Sequence, residues 1–206
     1  MLLKIYEDNP NPKAIQQAVE VLRRGGVIIY PTDTVYGIGC DITQQKAIER
    51  VCQIRGLNPD KANLSFICHD LTDISLYTKP FDTSVFRDLK KALPGPFTFN
   101  FKASGQVPKL LSSKKKTVGI RVPANAIVRA IVRELGNPIV TASIHDDDEI
   151  MEYSTDPELI YEKYQEKVDL VIDGGYGDYV ASTVVDVTEG EFDILREGKG
   201  DLEAFL

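Results

Sequence analysis

The most constraining feature of this chain is segment 27–40, which reads VIIYPTDTVYGIGC. Its β-branched apolar start predicts a buried strand that ends at Pro31. Polar side chains follow the proline, and two glycines then allow the backbone to turn or to be approached closely: Thr32, Asp33, Thr34, Tyr36, Gly37 and Gly39. Open α/β sheets place ligand contacts where buried strands end, so the segment predicts a binding site. The alternative is a plain strand-to-loop transition whose Thr and Asp side chains satisfy local backbone groups.

The composition limits the class of protein. The net charge of −7 argues against a protein that coats nucleic acid indiscriminately, although it leaves room for a local basic groove. Cys40, Cys52 and Cys68 form no CxxC pair, which indicates buried thiols in a reducing compartment and no metal site. The start of the chain lacks the pattern of a signal peptide, and no apolar run has membrane-spanning length. We therefore expect a cytoplasmic protein.

Helix and strand patterns alternate along the chain. Helices are predicted from Asn11-Pro12 to Gly25 or Gly26 and over 43–54, 84–93 and 125–135, with a fifth that begins at 156–157. Strands are predicted over 27–30, 64–68, 97–101, 118–122, 138–141, 168–172, 183–187 and 192–195. No linker separates two domains, so the prediction is one α/β domain, 1–206, with a mixed, twisted sheet and flanking helices.

Six segments of the chain are similar to sequence blocks of one family, in the same order. They read PTDTVYGIGCD at 31–41, LPGPFT at 93–98, TVGIRVP at 117–123, PIVTAS at 138–143, STVVD at 182–186 and LREG at 195–198. Together they resemble the YrdC/YciO family, which contains the threonylcarbamoyl-adenylate synthases and their relatives. The resemblance implies the YrdC-like fold, a single domain with a twisted sheet around a concave, positively charged cavity.

The resemblance also implies a chemistry. The family's synthases join L-threonine, bicarbonate and ATP into threonylcarbamoyl-adenylate, which serves tRNA modification. ATP would then be a substrate that brings Mg²⁺ with it, and no tightly bound cofactor is expected. Matching positions assign Thr32, Thr34, Tyr36 and Ser143 to the substrate, Asn63, His145, Ser182 and Arg196 to the nucleotide, and Arg55, Arg121 and Lys61 to catalysis.

Two departures from the family pattern stand out. The synthases carry Lys-x-Arg-Pro where this chain reads RGLNP at 55–59, so that Leu57 replaces a cation and Lys61 is the nearest substitute. The family's Ser-x-Asn is here Ser143-Ile144-His145. The pattern is similar to the YciO branch of the family, and it implies weak or altered adenylate formation. A solvated acidic loop around His145, without a metal, is the simpler expectation for 145–149.

A second hypothesis is a ribosome-associated or double-stranded RNA-binding module without catalysis. Its phosphate contacts would come from basic side chains of the cavity: Arg55, Lys61, Lys109, Lys114–Lys116, Arg121 and Arg129. The acidic net charge and the absence of alternating basic and aromatic residues favour the enzyme-type hypothesis. The loss of the second cation at Leu57 favours the RNA module, or a nucleotide binder without turnover.

Overall fold

The computed structural model describes residues 1–58, 64–108, 111, 116–144 and 152–204. Seven helices lie in this described part of the chain: α1 (Pro12–Arg23), α2 (Gln45–Ile54), α3 (Leu71–Tyr77), α4 (Thr83–Ala92), α5 (Ala126–Leu135), α6 (Glu152–Thr155) and α7 (Pro157–Tyr164). The strands are β1 (Leu2–Lys4), β2 (Ile28–Tyr30), β3 (Gly37–Asp41), β4 (Ser65–Ile67), β5 (Phe97–Lys102), β6 (Thr117–Arg121), β7 (Ile139–Ser143), β8 (Leu170–Asp173), β9 (Thr183–Asp186) and β10 (Asp193–Arg196). None of these helices is long and apolar enough to cross a membrane.

All ten described strands form one mixed sheet, in the order β1-β8-β2-β3-β7-β4-β6-β5-β9-β10. The pairs β1/β8, β2/β8, β4/β6 and β5/β9 are parallel, and the remaining neighbours are antiparallel. The predicted fold class, mixed α/β with flanking helices, is therefore confirmed. The strand pairing decides which side chains lie next to each other, because paired residues of neighbouring strands project from the same face.

Helices cover the two faces of the sheet unequally. On one face α1 and α5 pack against a compact group of strand side chains that includes Ile28, Tyr30 and Ile139. The opposite face carries the larger core, into which α2, α4 and α7 place residues such as Ile48, Leu89 and Ile160. The apolar stripes of these helices account for both packings.

Local signals explain where several helices begin and end. The Asn11, Asn125 and Asp156 side chains accept hydrogen bonds from backbone N–H groups of the first turns of α1, α5 and α7. Gly136 ends α5 at a φ of +85°, a left-handed conformation that glycine adopts without strain. These four boundaries were predicted from the sequence to within a residue or two.

Four described elements were not predicted: β1, β3, α3 and α6. The error at β3 matters most, because Gly37 and Gly39 were interpreted partly as turn residues and instead lie in a buried central strand. The other part of that interpretation, close approach, is confirmed. A Cβ at Gly39 would lie 2.3 Å from the Val140 carbonyl oxygen, and one at Gly37 would lie 2.9 Å from the Tyr30 ring. Several strand bounds also shift by one or two residues. Strand 118–122 is observed as Thr117–Arg121, 138–141 as Ile139–Ser143, 168–172 as Leu170–Asp173 and 192–195 as Asp193–Arg196.

Candidate functional site

The PTDTVY segment is the loop of a hairpin between β2 and β3, whose first pair is Tyr30 with Gly37. Inside the loop the Thr32 hydroxyl donates to the Val35 carbonyl at 2.7 Å and accepts from the Thr34 N–H at 3.0 Å. The two threonine hydroxyl oxygens lie 3.2 Å apart, and both side chains are buried. The local backbone bonding expected of a plain strand-to-loop transition is therefore present, but it does not account for the Thr34 hydroxyl.

Arg121 accounts for that hydroxyl. One of its terminal nitrogens, Nη2, donates to the Thr34 hydroxyl at 2.9 Å and to the Asp33 carboxylate at 3.1 Å. The arginine ends β6 and is only 5% exposed, and burial lowers its pKa while Asp33 opposes that shift. The buried Nε of Arg121 has no hydrogen-bond partner among the described residues. A buried donor without a partner costs roughly 1–3 kcal/mol, so an acceptor at this position would stabilise the site.

Asp33 links this arginine to two other segments. Its carboxylate accepts a hydrogen bond from the Ala124 N–H at 2.9 Å, which fixes the chain between β6 and α5. Its backbone carbonyl accepts from the Lys199 ammonium at 2.7 Å, and Lys199 also forms an ion pair with Asp178 at 2.8 Å. The hairpin loop, the loop after β8 and the segment after β10 are thus held together around Asp33.

Tyr36 is buried at the far end of the same loop. Its hydroxyl donates to the Gly175 carbonyl at 2.7 Å and accepts from the Gly174 N–H at 3.1 Å. Burial raises the pKa of the phenol, so the hydroxyl stays protonated at neutral pH. The side chain therefore anchors the loop that follows β8. Its predicted contact with substrate remains a prediction.

A row of polar side chains crosses the sheet next to Arg121. The register places Thr141, Ser65, Gly119 and Asn100 side by side on β7, β4, β6 and β5. A Cβ at Gly119 would lie 2.7 Å from the Ser65 hydroxyl and 3.0 Å from the Asn100 side-chain oxygen, which confirms that the two side chains meet over the glycine. We call Thr141, Ser65, Gly119 and Asn100 the polar row.

The polar row was missed at the level of sequence. Strand β5 alone shows a polar residue at every second position, as in Thr98 and Asn100, which is a signal typical of any half-exposed strand. Only the register shows that four strands place these residues side by side, on the face from which Arg121 projects. The sequence signal that could have indicated the polar row was polar residues that alternate with apolar residues within a strand.

Two of the predicted nucleotide-site residues lie together at the start of β9. The Ser182 hydroxyl lies 2.8 Å from the Thr98 hydroxyl, and both side chains are buried. Arg196 donates from Nη2 to the Ser182 carbonyl at 2.7 Å and is close enough to Arg121 to affect its pKa. The predicted substrate residue Ser143 pairs with Gly37, next to the hairpin loop. The structure therefore brings Thr32, Thr34, Arg121, Ser182 and Arg196 into one region, with Ser143 at its edge.

The departures from the family pattern lie partly in the described residues. Arg55 is half-buried at the end of α2, and its backbone N–H continues the helix to the Val51 carbonyl at 3.1 Å. Leu57 is 37% exposed and carries no charge to the surface. Lys61, Asn63 and His145 lie outside the described residues, so their predicted roles stay predictions. Within the described part of the chain, no group of three or more His, Cys, Asp or Glu side chains is arranged to hold a metal ion.

Comparison with known sequences finds a family model and several relatives. The sequence model of the Sua5/YciO/YrdC family, described as telomere recombination, matches residues 20–198. The chain is 43% identical to the protein YciO of Escherichia coli K12, over 98% of this chain and 97% of that protein. It is 29% identical to the threonylcarbamoyl-AMP synthase of Coxiella burnetii RSA 493, over 89% of this chain and 97% of the synthase.

Solved structures agree in fold. The crystal structure of E. coli YciO superimposes with a TM-score of 0.91 at 41% identity, covering 100% of this chain and 99% of that one. The crystal structure of P. abyssi Sua5 complexed with L-threonine superimposes with a TM-score of 0.86 at 25% identity, covering 99% of this chain and 59% of Sua5. The family match over most of the chain and the two agreements in fold lead to one conclusion: this chain belongs to the Sua5/YciO/YrdC family.

Proposed function

We propose that this protein binds ATP together with L-threonine and bicarbonate, and that its adenylate-forming activity is weaker than that of a full threonylcarbamoyl-AMP synthase. The observation that supports it most is the buried guanidinium of Arg121, whose Nε has no partner among the described residues. A buried charge is normally fully hydrogen-bonded. We infer that an anionic group of the ligand binds this guanidinium.

The arginine is prepared for such a ligand by its neighbours. Asp33 and Thr34 both accept from Nη2 and so fix the plane of the guanidinium. A planar guanidinium held in this way binds a carboxylate or a phosphate through paired hydrogen bonds, at a smaller entropic cost than a mobile side chain. Asp33 balances the charge of Arg121 in the absence of a ligand, and Arg196 adds a second positive charge nearby.

The polar row suits the rest of the ligand. The Ser65 hydroxyl and the Asn100 side-chain amide meet over Gly119, and the Thr141 hydroxyl, which accepts a hydrogen bond from Tyr30, lies one strand farther along the row. A threonine carboxylate, a carbamate and a triphosphate offer many acceptor oxygens to such groups. Mg²⁺ would enter with the triphosphate, as it does in many ATP sites that lack a dedicated protein cage.

The reaction needs no nucleophile from the protein. The threonine amine bonds to the carbon of bicarbonate and water leaves, which gives a carbamate. A carbamate oxygen then bonds to the α-phosphorus of ATP while the bond to the β-phosphate oxygen breaks and pyrophosphate leaves. The protein holds the reactants in line and neutralises the charge that develops on the phosphoryl oxygens. Leu57 cannot provide the second cation that the synthases have at this position, which is why we propose reduced turnover.

Relatives support this proposal. A relative of the same fold, P. abyssi Sua5, has been crystallised with L-threonine, and a relative of 29% identity is a threonylcarbamoyl-AMP synthase. The product of the synthases serves tRNA modification, and we propose the same context for this chain. The RNA-binding alternative gains no support from these relatives, and we do not adopt it.

Isothermal titration calorimetry with ATP, in the presence and absence of L-threonine and bicarbonate, tests the proposal. We expect saturable ATP binding. The ATP affinity should increase when threonine is present, since the two ligands bind side by side in the same site. Added salt should weaken this binding far less than it weakens binding to double-stranded RNA, where each neutralised phosphate adds to the salt dependence. Absence of ATP binding, together with salt-sensitive binding of double-stranded RNA, would contradict the proposal and favour the alternative.

A further inference from the structure

A cavity of about 250 Å³ lies outside the candidate site, at the ends of the parallel strands β4 and β6. Drug-sized ligands occupy pockets of roughly 300–1,000 Å³, so this cavity suits a smaller molecule. Helices α3, α4 and α5 surround it, and its lining includes Phe86, Lys90, Leu93, Pro94, Val122 and Arg129.

The cavity combines an apolar interior with a positively charged rim. Phe86, Leu93, Pro94 and Val122 supply carbon surface, which favours an aromatic ring or a short branched chain. The ammonium group of Lys90 stands 4.9 Å from the centre of the Phe86 ring, at the edge of this apolar surface. A ligand with an apolar body and one negative charge would place that charge beside the ammonium group.

The second cation is held in position by the chain that follows β4. Arg129 of α5 donates from Nε to the His69 carbonyl at 3.2 Å, and this is its only side-chain hydrogen bond to the residues that the structure describes, which leaves the other guanidinium nitrogens for a ligand. The carboxylate of Asp70 also lies at the rim, but it accepts hydrogen bonds from the backbone N–H and the hydroxyl of Thr72. Within the described residues no salt bridge links Asp70 to Lys90 or Arg129. The rim therefore keeps a net positive charge.

The cavity is separate from the candidate site. Val122 lines it, whereas the preceding residue, Arg121, projects from the opposite face of the strand and contacts the hairpin loop. A ligand in the cavity contacts neither the polar row nor Asp33. It would therefore bind whether or not the nucleotide site is filled.

We propose that this cavity binds a small amphipathic monoanion, a carboxylate attached to a single ring or a short branched chain. Lys90 and Arg129 receive the carboxylate, and Phe86, Leu93 and Val122 receive the apolar body. The proposal does not depend on the function proposed above, because no residue of the candidate site takes part in it.

Phenylacetate is the probe, and phenylacetamide is the matched neutral compound of the same shape. Amide chemical shifts of the ¹⁵N-labelled full chain are followed during each titration. We expect saturable shifts at the amides of 70–72, 86–93 and 122–129 with phenylacetate, at a Kd of about 1 mM, and binding at least about fivefold weaker with phenylacetamide. Equal affinity for the two compounds, or shifts that do not saturate or that lie elsewhere, would overturn the proposal.

Charge-removing variants localise the effect. Lys90→Gln and Arg129→Gln should each raise the Kd for phenylacetate about threefold to fivefold, the scale of an exposed ion pair. Lys91→Gln and Arg133→Gln, on the same two helices but outside the cavity lining, should leave it unchanged. If Arg129→Gln unfolds the chain, Lys90→Gln alone decides, and equal effects of Lys90→Gln and Lys91→Gln would overturn the proposal. Saturating ATP should not displace phenylacetate, and competition between the two would also overturn it.

Discussion

The two faces of strand β6 differ sharply in chemistry, although they alternate along only five residues. Val118 and Ile120 are 3% and 0% exposed and belong to the larger core. Gly119 and Arg121 project to the opposite side, where Gly119 makes room for its polar neighbours and Arg121 reaches the hairpin loop. One face of the strand therefore contributes to stability and the other to the proposed binding site, and substitutions on the two faces should have separable effects.

The largest effect is expected on the core face. Ile120→Ala should lower the free energy of unfolding by about 2–5 kcal/mol, since the side chain is fully buried and the loss leaves a cavity. The ATP affinity of the folded fraction should not change. Denaturant unfolding and calorimetry on the same preparation measure the two quantities, and a selective loss of ATP affinity without a loss of stability would contradict the division between the faces.

The next largest effect is expected on the rate of catalysis, at the two positions where this chain departs from the synthase pattern. Leu57→Arg combined with His145→Asn should raise pyrophosphate release in the presence of threonine and bicarbonate by about a hundredfold. That is the usual scale for gaining one positioned cation in a transition state. Leu57→Lys with His145→Asn is the matched control, because lysine supplies the charge without the planar guanidinium. No gain in the folded double variant, or wild-type turnover already equal to that of a full synthase, would show that these positions do not explain the difference.

On the polar face, Gly119→Ala should destabilise the chain by about 1–3 kcal/mol. The new Cβ would lie 2.7 Å from the Ser65 hydroxyl, and relieving that overlap costs more than the roughly 0.5–1 kcal/mol gained by removing a strand glycine. Adding Ser65→Ala should recover part of the loss. Thermal unfolding of Gly119→Ala, Ser65→Ala and the double variant measures this coupling. If Gly119→Ala is neutral by itself, the polar row is more loosely packed than described.

The smallest effect is expected at the edge of the candidate site, where Lys199 forms an ion pair with Asp178. The hydrogen bond from Lys199 lowers the pKa of the Asp178 carboxyl below its ordinary 3.8. Because the folded-state pKa is depressed, the stabilisation is complete above pH 3.8 and is lost as the pH falls through the folded-state value. Asp178→Asn should therefore cost about 0.2–1 kcal/mol at pH 7 and nothing at strongly acidic pH. The exposed pair of Lys102 with Glu189 provides the control, and Glu189→Gln should cost less at pH 7.

The sequence predicted much of the fold because its strongest helices carry their own signals. The apolar stripes of α1, α2 and α5, the asparagine caps and the glycine at 136 are local features, and local features can be recognised without knowing the tertiary structure. Strand β3 was not predicted, because it carries no such local signal. Its two glycines are needed by neighbouring strands, and the close contacts that require them exist only in the folded sheet.

Only part of the candidate site could likewise be predicted from local sequence. Thr32, Thr34 and Arg121 were found through motifs, and the structure brings them together. The polar row was not found, since it depends on the register of four strands that are distant in sequence. The linkage of Asp33 to Ala124 and Lys199 was missed for the same reason. Pairing of this kind is set by the whole sheet, and a single strand does not determine it.

The central claim is that Arg121 binds an anionic group of the ligand, and calorimetric titration of Arg121→Met with ATP tests it most directly. We predict a loss of about 1.5–3 kcal/mol in binding free energy, the scale of a hydrogen bond to a charged group. The control Arg133→Met, on the exposed side of α5, should bind ATP as the wild type does. The unpaired charge of Asp33 could unfold Arg121→Met. In that case the double variant Arg121→Met with Asp33→Asn removes this charge, and it should show the same loss of ATP-binding free energy. Unchanged ATP affinity in a folded variant that lacks Arg121 would contradict the account.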